Sequence, residues 1–182
     1  MNSVMEPKYY RGWHLAKSDF EYRVTGFEWS VLRFSESFAR FVAETGSVIF
    51  TSDLKMSEHI ILHIIRMQDR PKNGATIARL MNRDDLPNIQ YCLRKLESAG
   101  LVQKIREGKG NQFAYAVTEK GEKVTDEYHG IKAQILMNRL MQIQDVPEKL
   151  EMLTNFLSIL TGVYEEAARD SATITPNELP PS

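Results

Sequence analysis

Thr76-Ile77-Ala78-Arg79-Leu80-Met81-Asn82-Arg83-Asp84-Asp85-Leu86-Pro87-Asn88-Ile89-Gln90-Tyr91-Cys92-Leu93-Arg94-Lys95-Leu96-Glu97-Ser98-Ala99-Gly100-Leu101-Val102 is the stretch whose reading decides the fold. Ile77, Ala78 and Met81 share one face of a short helix, and Asn82 to Asp85 supply a polar break. A second helix starts at Pro87, since proline lacks the N–H that would go unpaired in a first turn, and Asp84-Asp85 sets negative charge at its positive end. Ile89, Cys92, Leu93, Leu96 and Ala99 then recur at three- and four-residue spacing, which leaves Asn88, Gln90, Tyr91, Arg94 and Lys95 off the apolar face. Gly100 stands where a helix C-terminus takes a left-handed residue.

Past that glycine the pattern changes period. Val102 to Arg106 and Phe113 to Val117 read as a hairpin closed by Glu107 to Gln112, with Phe113, Tyr115 and Val117 alternating onto one face and Lys109 at the tip. Helix, turn, helix and ribbon together make a winged helix-turn-helix. The expected fold class is therefore mainly α with a small β-wing.

Three pieces of this region resemble the MarR family of bacterial transcription regulators: Ile77-Ala78 to Met81, Leu96-Glu97-Ser98-Ala99-Gly100-Leu101-Val102, and Val117-Thr118-Glu119-Lys120-Gly121. The last two are separated by a wing of the usual length, and the likeness extends loosely from about Phe20 to Glu165. It implies a homodimer that sets one recognition helix per subunit into the DNA major groove, as a regulator of the repressor type. Two departures limit what carries over. Lys109-Gly110-Asn111 stands where the family shows an Asp-x-Arg wing motif, and Pro87-Asn88 replaces its small hydroxyl pair, so base preference is not inherited with the fold.

Composition agrees with a small regulator. The 182 residues are 42% hydrophobic with a formal net charge of −1, yet residues 70–123 hold 11 Lys+Arg against 6 Asp+Glu, a net of +5. The positive field belongs to the reading head. Cys92 is the only cysteine, so no intrachain disulfide forms, and its place on an apolar stripe makes it a buried, inert thiol. No segment approaches the roughly 20 apolar residues of a membrane span, and Met1 to Arg11 lacks a signal-peptide core. A cytoplasmic location is expected.

The flanks read as apparatus for pairing. Residues 1–17 form an aromatic N-terminal extension with Tyr9, Tyr10, Trp13 and His14, expected to pack on the protein's own helices or its partner subunit rather than to act as a ligand lid. From Asp19 to Glu44 the residues Phe20, Val24, Phe27, Val31, Phe34, Phe38 and Phe41 are spaced 4, 3, 4, 3, 4, 3, a heptad seam, with Gly46 ending the helix. Ser57 is expected to cap a following helix with Ile60, Ile61, Ile64 and Ile65 buried. Thr118 opens a long helix through Tyr128 and Ile131 to Ile143, Asp145-Val146-Pro147 interrupts it, and a last helix carries two apolar stripes. Residues 18–46 and 118–169 thus form a helical dimerisation part around a DNA-binding part at 47–117, with 170–182 a disordered tail.

Site residues follow. Asn88, Gln90, Tyr91 and Arg94 are expected at the base edges, because Asn and Gln match adenine and Arg matches guanine. Thr76, Arg83, Lys95, Lys109 and Asn111 are expected on the backbone or in the minor groove. The resemblance also implies a small aromatic or phenolic acid as effector, for which Phe38, Arg40, Phe41, Thr45, His59 and His63 offer a lining. His59 and His63 stand one turn apart, but no Cys or carboxylate pattern completes a metal set, so neither metal nor cofactor is expected. No nucleophile–base pair, paired carboxylates or phosphate loop marks an enzyme. The alternative is a winged helix that binds protein without specific DNA binding.

Overall fold

Apolar surface too large for any one helix to hide is collected on the helix Met56–Arg66, and the fold is arranged around it. The computed structural model describes residues 15–49, 54–107 and 112–174. It falls into two units, residues 1–132 and 133–182.

In the first unit α1 spans Asp19–Ile49, α2 Met56–Arg66, α3 Gly74–Leu80 and α4 Leu86–Ser98; the antiparallel strands β1 Val102–Glu107 and β2 Gln112–Val117 form the wing, and α5 spans Glu119–Lys132. Side chains close the start of α1: Ser18 Oγ accepts from the Glu21 N–H at 3.2 Å while Glu21 accepts from the Lys17 N–H at 2.7 Å. Ile61, Leu62 and Ile65 of α2 meet Ile77 of α3, Ile89, Leu93 and Leu96 of α4 and Leu101 and Val102 at the wing's base, all nearly sealed from solvent. This single cluster fixes how the two short helices face each other.

Several boundaries and caps differ from the sequence expectation. Gly46 does not end α1; it lies inside the helix, buried, where a Cβ would stand 2.3 Å from Cε1 of His59. The glycine is there for close approach. Ser57 does not cap α2, which begins at Met56 with the Glu58 carboxylate accepting from the Lys55 N–H at 2.9 Å. The helix α4 begins at Leu86, one residue before Pro87, and α3 begins at Gly74, capped by Asn73, whose Oδ1 accepts from the Thr76 N–H at 2.9 Å. Gly100 does adopt the left-handed φ of 71°.

The wing pairs Val102 with Val117 through Glu107 with Gln112. Tyr115 and Val117 pack on the core as alternation requires, but Ala114 of the opposite face is buried too, and Lys72 pairs with Tyr115 by two backbone hydrogen bonds of 3.0 and 2.9 Å. The side chain of Lys72 is buried as well. Its Nζ donates to the carbonyls of Ile65 and Arg70 at 3.1 Å each and to that of Met67, placing a cation on the C-terminal end of α2.

The two sequence pieces on either side of the wing close on one another. Thr118 donates its N–H to Leu101 at 3.0 Å and its hydroxyl to Gly100 at 2.7 Å, while Lys120 Nζ donates to Ala99 at 2.8 Å. Carbonyls left over at the end of α4 are thereby satisfied. Gly121 completes the clasp, since a Cβ there would lie 2.2 Å from the Leu101 oxygen.

The long helix expected from Thr118 to Ile143 is helical from Glu119 to Leu140 but passes through a π segment. The helix α5 ends at Lys132, and the second unit opens with a π turn at Ala133–Met137 and a short helical turn at Asn138–Leu140. Asp145, at φ 54°, breaks the chain before α6, Val146–Ser171, so the helix also runs past the expected start of the tail at 170. None of α6 is buried, and Leu150, Leu153, Phe156 and Leu157 are 43–50% exposed. On α1 the seam is likewise open, with Phe20, Phe34 and Phe38 exposed and Phe34 stacked on Phe38 at 6.5 Å. The expected N-terminal extension at 1–17 and the tail at 170–182 lie largely outside the described residues.

Candidate nucleic-acid interface and adjoining cleft

The apolar positions of α4 are spent on the core, so the remaining positions face outward by helical geometry. Asn88, Gln90, Tyr91 and Arg94 are all exposed. The outward cations of the neighbouring elements are Arg79 on α3 and Lys104 and Arg106 on β1, which sequence periodicity did not single out. Lys104 lies over the Phe113 ring, its Nζ 4.1 Å from the centroid.

Of the residues expected at the DNA backbone, two are paired within the protein. Lys95 reaches the buried Glu58 carboxylate at 3.4 Å. Arg83 is joined to Asp85 through both Nε and Nη2, the former at 2.7 Å, and these bonds hold the Asp85 carboxyl below its ordinary range. Thr76 is half-buried in the first turn of α3. Lys109 and Asn111 lie outside the described residues. Cys92 is buried, and burial, with the Glu58 charge behind it, pushes the thiol up.

A cleft of ≈630 Å³ opens where α1, α2 and α5 meet. Phe38, Val42, Ile60 and Ile64 supply apolar wall; His63, Tyr128 and His129 stand together, with the His63 ring 4.6 Å from Tyr128 and 5.5 Å from His129. Arg66 and Lys132 bring positive charge to it. Arg66 also clamps α2 to α5, donating to the Glu122 carbonyl at 3.0 Å and pairing with Asp126 at 2.6 Å.

Of the six residues the sequence set at an effector pocket, Phe38 and His63 line this cleft and four do not. His59 and Thr45 are buried, His59 against Gly46; Phe41 is half-buried and Arg40 exposed. The α5 side of the cleft was missed. Its signal was the pair Tyr128-His129 on an otherwise polar helix, visible only once α5 is known to lie against α2. Among the described residues no three His, Cys, Asp or Glu side chains converge as a metal ion would need, and no helix is long and apolar enough to cross a membrane.

Burial pushes the His63 imidazole from 6.5 down to about 4, and His129, His59, Lys132 and Arg66 add repulsion. His63 is therefore uncharged near neutrality. Between its folded and unfolded values the unfolded chain binds more protons, so this contribution to stability is present above about pH 6.5 and is lost as the pH falls towards 4. Urea unfolding at pH 7.5 and 5.0 should show the unmodified protein losing stability over that interval, with His63→Gln losing less by on the order of 2 kcal/mol. Parallel losses in the two proteins would contradict the assignment.

Residues 54–121 match the family model described as a winged helix DNA-binding domain. No curated protein matches the sequence. Among solved structures, the transcriptional regulator BldR from Sulfolobus solfataricus is 21% identical with a TM-score of 0.61, covering 78% of this chain and 98% of its own. The S. aureus MepR–DNA complex is 15% identical at TM-score 0.60, covering 75% and 96%, and the oxidized form of MarR from E. coli is 19% identical at 0.57, covering 70% and 90%. At these identities the likeness is one of fold.

Proposed function

We propose that this chain, a winged-helix protein of MarR-like fold, is a DNA-binding transcription regulator that acts as a homodimer on a pseudo-palindromic operator, in the manner of a repressor. The observation that carries this reading is the outward face of α4: four polar or cationic side chains, Asn88, Gln90, Tyr91 and Arg94, exposed on a helix whose other face is sealed in the core. An apolar outward face would instead have favoured a protein partner. The match of residues 54–121 to a DNA-binding domain supports the same reading, as does the likeness to MepR, solved with DNA. Such a regulator works beside the chromosome, in the cytoplasm.

Arg94 reads a guanine edge and the wing tip, with Lys109, holds phosphate or minor groove. On duplexes selected from a random library, Arg94→Ala should cost about 1–3 kcal/mol and relax one base position, whereas Lys109→Ala should weaken all sequences alike and flatten the salt dependence. Equal losses of Arg94→Ala on selected and random duplexes would remove Arg94 from the base edge. Absence of any duplex binding at low salt would end the DNA reading and leave the protein-binding alternative.

A second copy of the chain is the partner that fits the apolar faces of α1 and α6. Each carries large exposed side chains at helical spacing along its whole length, far beyond the scattered exposure of a monomer's surface. Sedimentation at micromolar concentration should give a dimer, and Leu153→Asp should dissociate it. A folded monomer of the unmodified protein would refute the assembly.

The cleft at His63 supports an effector site for a small aromatic or phenolic acid, its ring against Phe38 and Ile64 and its carboxylate towards Lys132 and Arg66. Such a ligand alters DNA binding only if it prefers one arrangement of the recognition helices. A thermal-shift series with benzoate should raise the melting temperature of the unmodified protein and not of Lys132→Ala. Equal shifts in both would move the site elsewhere.

A further inference from the structure

Asp85 occupies the capping position of α4, yet its side chain makes no bond to the first N–H groups of the helix. Aspartate is favoured there because its oxygen ordinarily accepts from the first turn. Here the carboxylate is committed elsewhere. Oδ1 accepts from Arg83 Nε at 2.7 Å, and Oδ2 accepts from Arg83 Nη2 and from Asn88 Nδ2 at 3.2 Å.

The arrangement does little for folding. With the side chains of Arg83 and Asp85 at 30% and 43% exposure, the pair sits in high dielectric, where such contacts hardly move stability. Its effect falls on what the helix offers to DNA. An asparagine amide has two N–H donors and one acceptor; Asp85 takes one donor and leaves the oxygen and the second N–H, the two groups that an adenine edge requires. Arg83, bound through two nitrogens to one carboxylate, presents little net charge to a phosphate, so it releases few counterions on binding.

We propose that Asp85 is a specificity-determining positioning residue, which holds Asn88 in one orientation for its base and cancels the charge of Arg83, thereby withholding affinity from random DNA. The inference rests on the DNA-binding reading above. It also assigns Arg83 a role opposite to the backbone anchor expected from sequence: a cation present but neutralised.

The test uses the full chain, a duplex selected by the unmodified protein from a random library, and a random-sequence duplex of equal length, with binding followed across a salt series. Asp85→Ala should bind the random duplex about tenfold more tightly at low salt, and the log–log salt slope should steepen by about 0.9 per subunit. The selected duplex should gain less, and preference at the position read by Asn88 should relax. Arg83→Gln alone should leave random-duplex binding close to that of the unmodified protein, and Asp85→Ala combined with Arg83→Gln should return to that level. A gain that survives in the double variant, or unchanged affinity and slope in Asp85→Ala, overturns the proposal. Asp85→Asn, which removes the charge and keeps the shape, should reproduce the slope change if the alanine variant does not fold, and an unchanged slope in it overturns the proposal equally. If the unmodified protein binds neither duplex, the DNA reading fails and this proposal with it; if it binds and the Asp85 variants match it, only this proposal fails.

Discussion

The carboxylate of Glu58 lies almost entirely out of water, at the N-terminus of α2, where it meets the backbone N–H of Lys55 and the ammonium of Lys95. Removing a carboxylate from water is unfavourable unless its charge is matched and its lone pairs are filled. Lys95 is therefore committed, on the same helix α4 whose rotation the buried Ile89, Leu93 and Leu96 fix. That rotation decides which side chains face out. Had Lys95 been turned to solvent, Glu58 would have been left buried without its counter-charge.

Around this tie α2 acts as the strut of the first unit. Its middle fills the core with Ile61, Leu62 and Ile65; His59 locks against Gly46 of α1; Arg66 clamps Glu122 and Asp126 of α5; and Lys72 closes its C-terminal carbonyls. The cleft at His63 and the tie at Glu58 are thus on one eleven-residue helix. A shift of α2 by a fraction of a turn would reach α4 through packed side chains, which have few intermediate arrangements.

Charge is distributed by the same logic. The net of +5 over residues 70–123 is not a uniform field, because Lys72, Arg83, Lys95 and Lys120 are each engaged by carbonyls or carboxylates of the protein. Arg79, Arg94 and Lys104, on α3, α4 and the wing, have exposed side chains. A surface of that kind attracts a polyanion.

Local pattern determined the elements: the three- and four-residue spacing of Ile89, Cys92, Leu93 and Leu96, the left-handed Gly100 and the alternation around Tyr115 each act within a few residues, so they are legible in order along the chain. They were enough to find the winged helix and to separate the exposed face of α4 from its buried one. Partners were a different matter. Lys95 meets Glu58, Gly46 meets His59, Lys72 meets three carbonyls and Tyr128 meets His63 only because separate helices pack together, and nothing in the spacing of one helix encodes its neighbour. Arg83 and Lys95 show the difference best: the sequence identified them as cations beside the second helix of the pair, and only the tertiary structure decided that Arg83 meets Asp85 and Lys95 meets Glu58, because a buried carboxylate needs a counter-charge that only a neighbouring helix can bring.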